Sequence, residues 1–290
     1  MKRSTVIGLA LSMSLPSGAS ALEYNVTLLG SGEVAGINNS GQVVGVSGPN
    51  GSQHATMWSN GTATDLGTLG GSYSGAYSIN DAGQVVGFST TTGSNVLNAT
   101  LWSNGTAINL GTLGGTYSVA NEINSSGQIA GLSLTTSSAQ HATLWLNGLA
   151  TDLGAPHGVV SIAWGINNTG QVVGETTGNV NQHATLWSNG LATNLGTLGG
   201  TSSVARSINS AGQIAGWSQT TGNSTQHATL WSNGVATDLG TLGGPLSAAD
   251  AINDAGLVVG SSQTSPDGLS LATLWSNGVA VDLNTLVADL

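Results

Sequence analysis

The 290-residue chain has no cysteine, one Phe, five Pro, only three Lys and Arg together, and 6% charged residues. Without cysteine, neither a disulfide nor a thiolate metal site can hold the fold. Lys2 and Arg3 stand at the extreme N-terminus, so beyond them Arg206 alone faces 13 acidic residues. A phosphate backbone is bound by exchanging its counterions for Lys and Arg, which excludes nucleic acid as a partner and disfavours anionic membrane surfaces. Beyond the N-terminus no apolar run approaches the roughly 18 residues of a membrane-spanning helix. Disorder is excluded as well, because a 39% hydrophobic fraction with eight Trp supplies enough apolar side chain to offset chain entropy. What the chain has in abundance is glycine, 45 residues of it.

The first 21 residues read as a secretory signal peptide. Lys2 and Arg3 precede an apolar stretch from Val6 to Leu15, and Ala19-Ser20-Ala21 supplies small residues for cleavage. The apolar stretch is too short to serve as a membrane anchor. The expected mature protein is therefore a single domain from Leu22 to Leu290, placed outside the cell or in the cell envelope.

Internal repetition dominates that domain. The phrase Ile-Asn-x-x-Gly begins at Ile37, Ile79, Ile123, Ile166, Ile208 and Ile252, at spacings of 42, 44, 43, 42 and 44 residues. A second phrase keeps step with it: Ala-Thr-Leu-Trp, with Met for Leu once, ends at Trp58, Trp102, Trp145, Trp187, Trp231 and Trp275, and Asn-Gly follows each time. Both phrases carry hairpin signals. A tight turn over Asn80 to Gly83 separates two short apolar runs, and Asn189-Gly190 splits another pair. Two hairpins make four antiparallel strands per unit, and six such units of about 43 residues predict an all-β, six-bladed β-propeller. A β-helix would need parallel rungs in place of Asn-Gly hairpins, and an outer-membrane barrel needs strands of about 9 to 11 residues where these runs last about five to seven. One strand is surplus. Tyr24 to Leu29 resembles the fourth strand of a unit, although Val279 to Leu283 already completes the sixth; either it caps an edge or the array continues past Leu290.

The segment SINDAGQVVGFS followed by HATLWSNGxATDLGTLGG resembles the HAF-type extracellular repeat of exported bacterial proteins, in which a His-Ala-Phe-like phrase precedes a Leu-Trp strand. Here the third residue is Thr in place of Phe, and the likeness covers Ile37 to Leu283. It implies an extracellular or envelope repeat protein and brings no catalytic residues with it.

Comparing the six units with one another separates what the scaffold needs from what it leaves free. The six equivalent Trp are expected to pack between blades. His54, His141, His183 and His227 precede the same Ala-Thr strand, with Asn98 and Leu271 at the equivalent places. Exchange with Asn points to hydrogen bonding, and their spread over four blades argues against a metal site. Asp65, Asp152, Asp238 and Asp282 alternate with Asn109 and Asn194, as a turn acceptor would. Single Asp residues fall short of the oxygen density that calcium requires, so no cofactor is expected, calcium being the one alternative. His157, in Gly-Ala-Pro-His-Gly, reads as a solvent-exposed loop residue.

Two positions vary completely. Two residues before the repeated Ile stand Ala35, Tyr77, Asn121, Trp164, Arg206 and Asp250, and after the Val-Val-Gly or Ile-Ala-Gly phrase stand Val46, Phe88, Leu132, Glu175, Trp217 and Ser261. If the first strand is innermost, the first set rings the axial channel, where propellers bind ligands. The expected ligand-binding residues are Tyr77, Asn121, Trp164, Glu175, Arg206, Trp217 and Asp250, the aromatics for stacking and the others for hydrogen bonds. Surface drift would produce the same variation. Arg206 could pair with Asp250 on the next blade, or, left unpaired beside Trp164 and Trp217, hold a carboxylate or a sugar. No Gly-x-Ser-x-Gly elbow, phosphate loop or dinucleotide fingerprint occurs, although Glu122, Glu175 and Asp250 could converge as glycosidase carboxylates. The reading is an exported, non-catalytic binding module for a glycan or protein ligand, with a purely structural array and a carbohydrate-active hydrolase as alternatives.

Overall fold

A computed structural model describes Leu29 and residues 32–286 apart from Asn50, His157 and Asn277. The signal-peptide residues, most of the surplus N-terminal strand and the loop His157 lie outside the described residues.

Among the described residues, twenty-four strands form six four-stranded antiparallel sheets, each a simple meander in chain order. These are the expected six blades: residues 33–65, 70–109, 114–152, 160–194, 199–238 and 247–282. Each runs from an inner strand at the axis to an outer strand at the rim; blade 3, for example, comprises Gly114–Ile123, Ile129–Thr135, Gln140–Leu146 and Leu149–Asp152. Inner-strand ends from all six blades line one axial channel. Among the described residues no helix is long and apolar enough to cross a membrane.

Local chemistry sets the meander. In the outer hairpin Asn and Gly both take positive φ, 52° at Asn189 and 76° at Gly190, the turn whose twist matches that of its flanking strands. In the inner hairpin the Asn80 side chain accepts from the Ala82 and Gln84 amides. The same Asn donates across to the carbonyl of Asn124 on the next blade at 3.1 Å. Equivalent bonds step from Asn38 through Asn209, tying five consecutive inter-blade joints. The inner strands are longer than the sequence suggests, ten residues in blades 2, 3 and 5, because the Gly-rich Thr-Leu-Gly-Gly segment enters the strand. Its glycines hide a strand that residue propensity alone does not announce.

The core lies between blades. Trp145 is 1% exposed and packs, with Ile123 and Ile129 of its own blade, against Val86 and Ala99 of blade 2. Trp102, Trp187, Trp231 and Trp275 repeat the arrangement, as expected. Threaded beside each Trp is a serine: Ser74 Oγ accepts from the Ala55 amide of the preceding blade at 2.9 Å and donates to the Gly67 carbonyl. Ser118, Ser161, Ser203 and Ser247 accept from the equivalent amides.

The joint between blades 6 and 1 differs. No equivalent cluster or Asn–carbonyl bond spans it among the described residues, and Gly32 occupies the serine position. Val259, whose counterparts Val44, Val86 and Val173 are fully buried, is 38% exposed, and Ile37 is 50% exposed where Ile79 is buried. Among the described residues, five joints carry the repeated inter-blade packing.

Every inner strand contains a β-bulge at the same place. In blade 4 Ala163 pairs with Gly174 and Gly165 with Val173, leaving Trp164 unpaired. The residues left over in the other five blades are Ala35, Tyr77, Asn121, Arg206 and Asp250. The first of the two variable positions of the sequence is the bulge position; the second, from Val46 to Ser261, pairs regularly on the second strands. A bulge also explains the repeated Val-Val-Gly glycine: a Cβ on Gly174 would lie 1.9 Å from the Ile162 carbonyl oxygen, and one on Gly87 2.0 Å from that of Gly75. Backbone fills the space a side chain would need. Gly174→Ala is expected to cost about 1–3 kcal/mol of stability, read from the urea midpoint; an unshifted midpoint would show that the bulge yields freely.

Candidate functional site

The channel opens at two unlike mouths. One, a cavity of about 240 Å³, is lined by the repeated Ile-Asn residues of the inner hairpins and differs little from blade to blade. The other, about 640 Å³, lies on the far side of the channel from those hairpins, along the inner-strand bulges and the middle of the second strands. All six bulge residues line it, together with Glu175 and Trp217 from second strands. The structure thus brings the seven residues expected from sequence to one cavity. A bulge turns its extra residue out of the alternation of the pleat, and here the ring turns six of them toward one axis.

Their partners divide the wall into engaged and available groups. Arg206 donates from its guanidinium to the Asp250 carboxylate of the next blade, and both side chains are nearly half exposed. Of the two arrangements open to Arg206, the paired one occurs, so it presents no free cation. Asn121 uses its amide nitrogen on the Ala163 carbonyl of the next blade at 2.8 Å, which leaves its side-chain oxygen as the remaining acceptor. Tyr77 packs its ring on Phe88, centroids 5.3 Å apart, and stays partly exposed. Trp164 and Trp217 are half-buried in the same wall.

Glu175 is buried and accepts a hydrogen bond from Gln182 Nε2. Burial pushes its carboxyl up, opposed by the nearby indole N–H of Trp164, the hydrogen bond from Gln182 and the charge of Arg206. Glu122 lines both mouths and so marks the waist of the channel. The Ser78 hydroxyl donates to it across the blade joint at 3.1 Å, and burial raises its carboxyl to about 7. The corresponding residues in the other blades are Gly36, Ser78, Gly165, Ser207 and Ala251. That contrast of one carboxylate among five small residues was present in the repeats. It would have placed Glu122 in the site, whereas it stood apart only as a possible hydrolase carboxylate. Tyr117 and Gln182, which also line the cavity, carry no such signal.

The repeated histidines belong elsewhere. Nδ1 of His54, His141 and His227 lies 2.8, 2.9 and 2.7 Å from Asp65, Asp152 and Asp238 within the same blade, at the outer rim. These aspartates also accept from turn amides such as Gly67, the role that Asn109 and Asn194 perform equally well. Burial works to raise the Asp65 carboxyl, but the hydrogen bonds from His54 and Gly67 outweigh it and hold the group below the usual range. Two columns that look independent in sequence are thus partners. Among the described residues no three His, Asp or Glu side chains gather as a metal site would require.

No family model and no curated protein sequence matches the chain. Among solved structures, it resembles TolB from Acinetobacter baumannii, with a TM-score of 0.50 and 12% identity over 82% of this chain and 62% of that one. A gluconolactonase from Xanthomonas campestris gives 0.44 and 10% over 80% and 83%, and a triple arginine mutant of AofleA from Arthrobotrys oligospora gives 0.44 and 12% over 86% and 85%. The chain spans somewhat less than two thirds of the TolB length. At such identities the likeness extends to the fold alone, and fold does not dictate function. Fold and channel together define a six-bladed β-propeller with one uniform mouth and one individualised mouth.

Proposed function

We propose that the protein is an exported, non-catalytic binding module that takes a small ligand, or the end of a longer chain such as a glycan, in the 640 Å³ cavity. The supporting observation is convergence. The bulge position, which the scaffold leaves free in every repeat, sends all six of its residues to one concave space, joined there by Leu132, Glu175 and Trp217 from the second variable position. Surface drift would scatter differences around the rim as readily as at the axis. The cavity lies within the range of small-molecule sites and pairs aromatic faces with a few polar groups. Its fixed blades restrict the motion of that wall, which limits the entropy cost of binding.

Immobilised glycans probed with wild type and Trp164→Ala test this reading. Loss of one indole face is expected to weaken retention about 5- to 150-fold, since a stacked aromatic contact accounts for roughly 1–3 kcal/mol. The thermal transition should stay nearly unchanged, because Trp164 is half-buried and not part of an inter-blade cluster. Retention that survives the substitution would place the ligand elsewhere. Turnover of a bound glycan, lost on Glu175→Gln, would replace a binding module with a hydrolase.

A further inference from the structure

Four charged side chains line the individualised mouth: Glu122, Glu175, Arg206 and Asp250. Arg206, the one cation beyond Arg3 in the entire sequence, is committed to Asp250. Glu122 and Glu175 are left with neutral donors, the Ser78 hydroxyl and the Gln182 amide. Glu175 lies in this recess with no cation in direct contact among the described residues, and opposite charge brought by a ligand is the complement such a carboxylate selects. The surroundings say which kind of cation. A metal ion needs several oxygens at close range, and the described residues offer no cluster of three acidic or His groups. The indoles of Trp164 and Trp217 and the ring of Tyr77 line the same space, and aromatic faces attract the diffuse charge of an organic ammonium.

We infer that the ligand of this cavity carries an ammonium group on a sugar-sized body, as a glucosamine unit does, with the charge directed to Glu175 and the apolar ring face against the indoles. This rests on the cavity being the binding site, and it names the ligand class that site selects. The raised carboxyl of Glu175 fits the same view, since burial has taken water from it without supplying a contacting countercharge. Arg206 touches this carboxylate only through its field, its own contact being Asp250. The net charge of −10, from 13 acidic residues against three basic ones, draws cations toward the surface and repels anionic ligands.

Titration calorimetry with two probes of equal length decides the matter: the β-1,4-linked glucosamine tetramer and its fully N-acetylated counterpart, at a slightly acidic pH where the free amines are protonated. Wild type is expected to bind the charged oligomer roughly tenfold more tightly than the acetylated one. Added salt should narrow the difference, and Glu175→Gln should reduce it to about twofold or less. The wild-type preference stands on its own should the variant fold poorly. Equal or better binding of the acetylated oligomer overturns the inference, as does a preference that persists in Glu175→Gln or the failure of both probes to bind. If the acetylated oligomer binds and is lost with Trp164→Ala, the cavity remains the binding site and only the charge reading fails. If no glycan on a broad panel binds at all, both fail.

Discussion

Trp145→Ala is expected to lower the free energy of unfolding by about 3–5 kcal/mol, the usual cost of deleting a large buried aromatic. The indole is 1% exposed and sits in a joint that draws residues from two blades. Its removal therefore leaves a cavity whose walls belong to separate sheets, each held by its own hydrogen bonds and slow to collapse inward. Urea unfolding followed by far-ultraviolet circular dichroism measures the loss. Trp164→Ala, at the half-buried channel mouth, is the internal comparison and should cost less than about 1 kcal/mol. Similar losses from the two substitutions would show that stability does not reside in the joints between blades.

Glu122 makes the waist of the channel sensitive to pH. Its carboxyl is raised from an ordinary 4.5 to about 7, chiefly by burial. The folded state therefore holds a proton that the unfolded state has released between those values. Stability contributed by this group is complete below about pH 4.5, declines as pH rises toward 7, and is flat above. The difference across that window amounts to at most about 3 kcal/mol. Glu122→Gln keeps the shape and an acceptor for Ser78 while removing the titration. The variant should match wild type near pH 4.5 and exceed it by up to about 3 kcal/mol at pH 8. Parallel stability curves across this range would mean that the carboxylate is solvated at the waist.

Much of this architecture is legible in the chain because a propeller blade is a local object. Its four strands are consecutive, and its turns are set by Asn-Gly pairs and by Asn side chains bonding to amides two and four residues on. Six recurrences of Ile-Asn-x-x-Gly and Leu-Trp therefore announce six blades before any coordinate is known. The completely variable positions were legible too, because repeats within one chain serve as their own comparison. The ten-residue inner strands were less so, since glycines at the Thr-Leu-Gly-Gly entry give no propensity signal. The substitutions Gly32 for Ser and Leu257 for the Gln of the other inner hairpins are visible, but their meaning depends on knowing which residues cross a joint.

Blade count, strand order and the scaffold role of the Trp residues thus follow from sequence, because each is encoded within a unit or by its recurrence. The packing of blade on blade decides the rest. Residues 42 to 44 positions apart meet only when one sheet packs on the next, which is how Arg206 reaches Asp250 and Ser78 reaches Glu122. Periodicity assigns a residue to a face of its strand, but the bulge that breaks the alternation turns Trp164 and its five counterparts toward the axis. Their common cavity, and the pairing of the only nearby cation, are properties of the assembled ring that no single repeat contains.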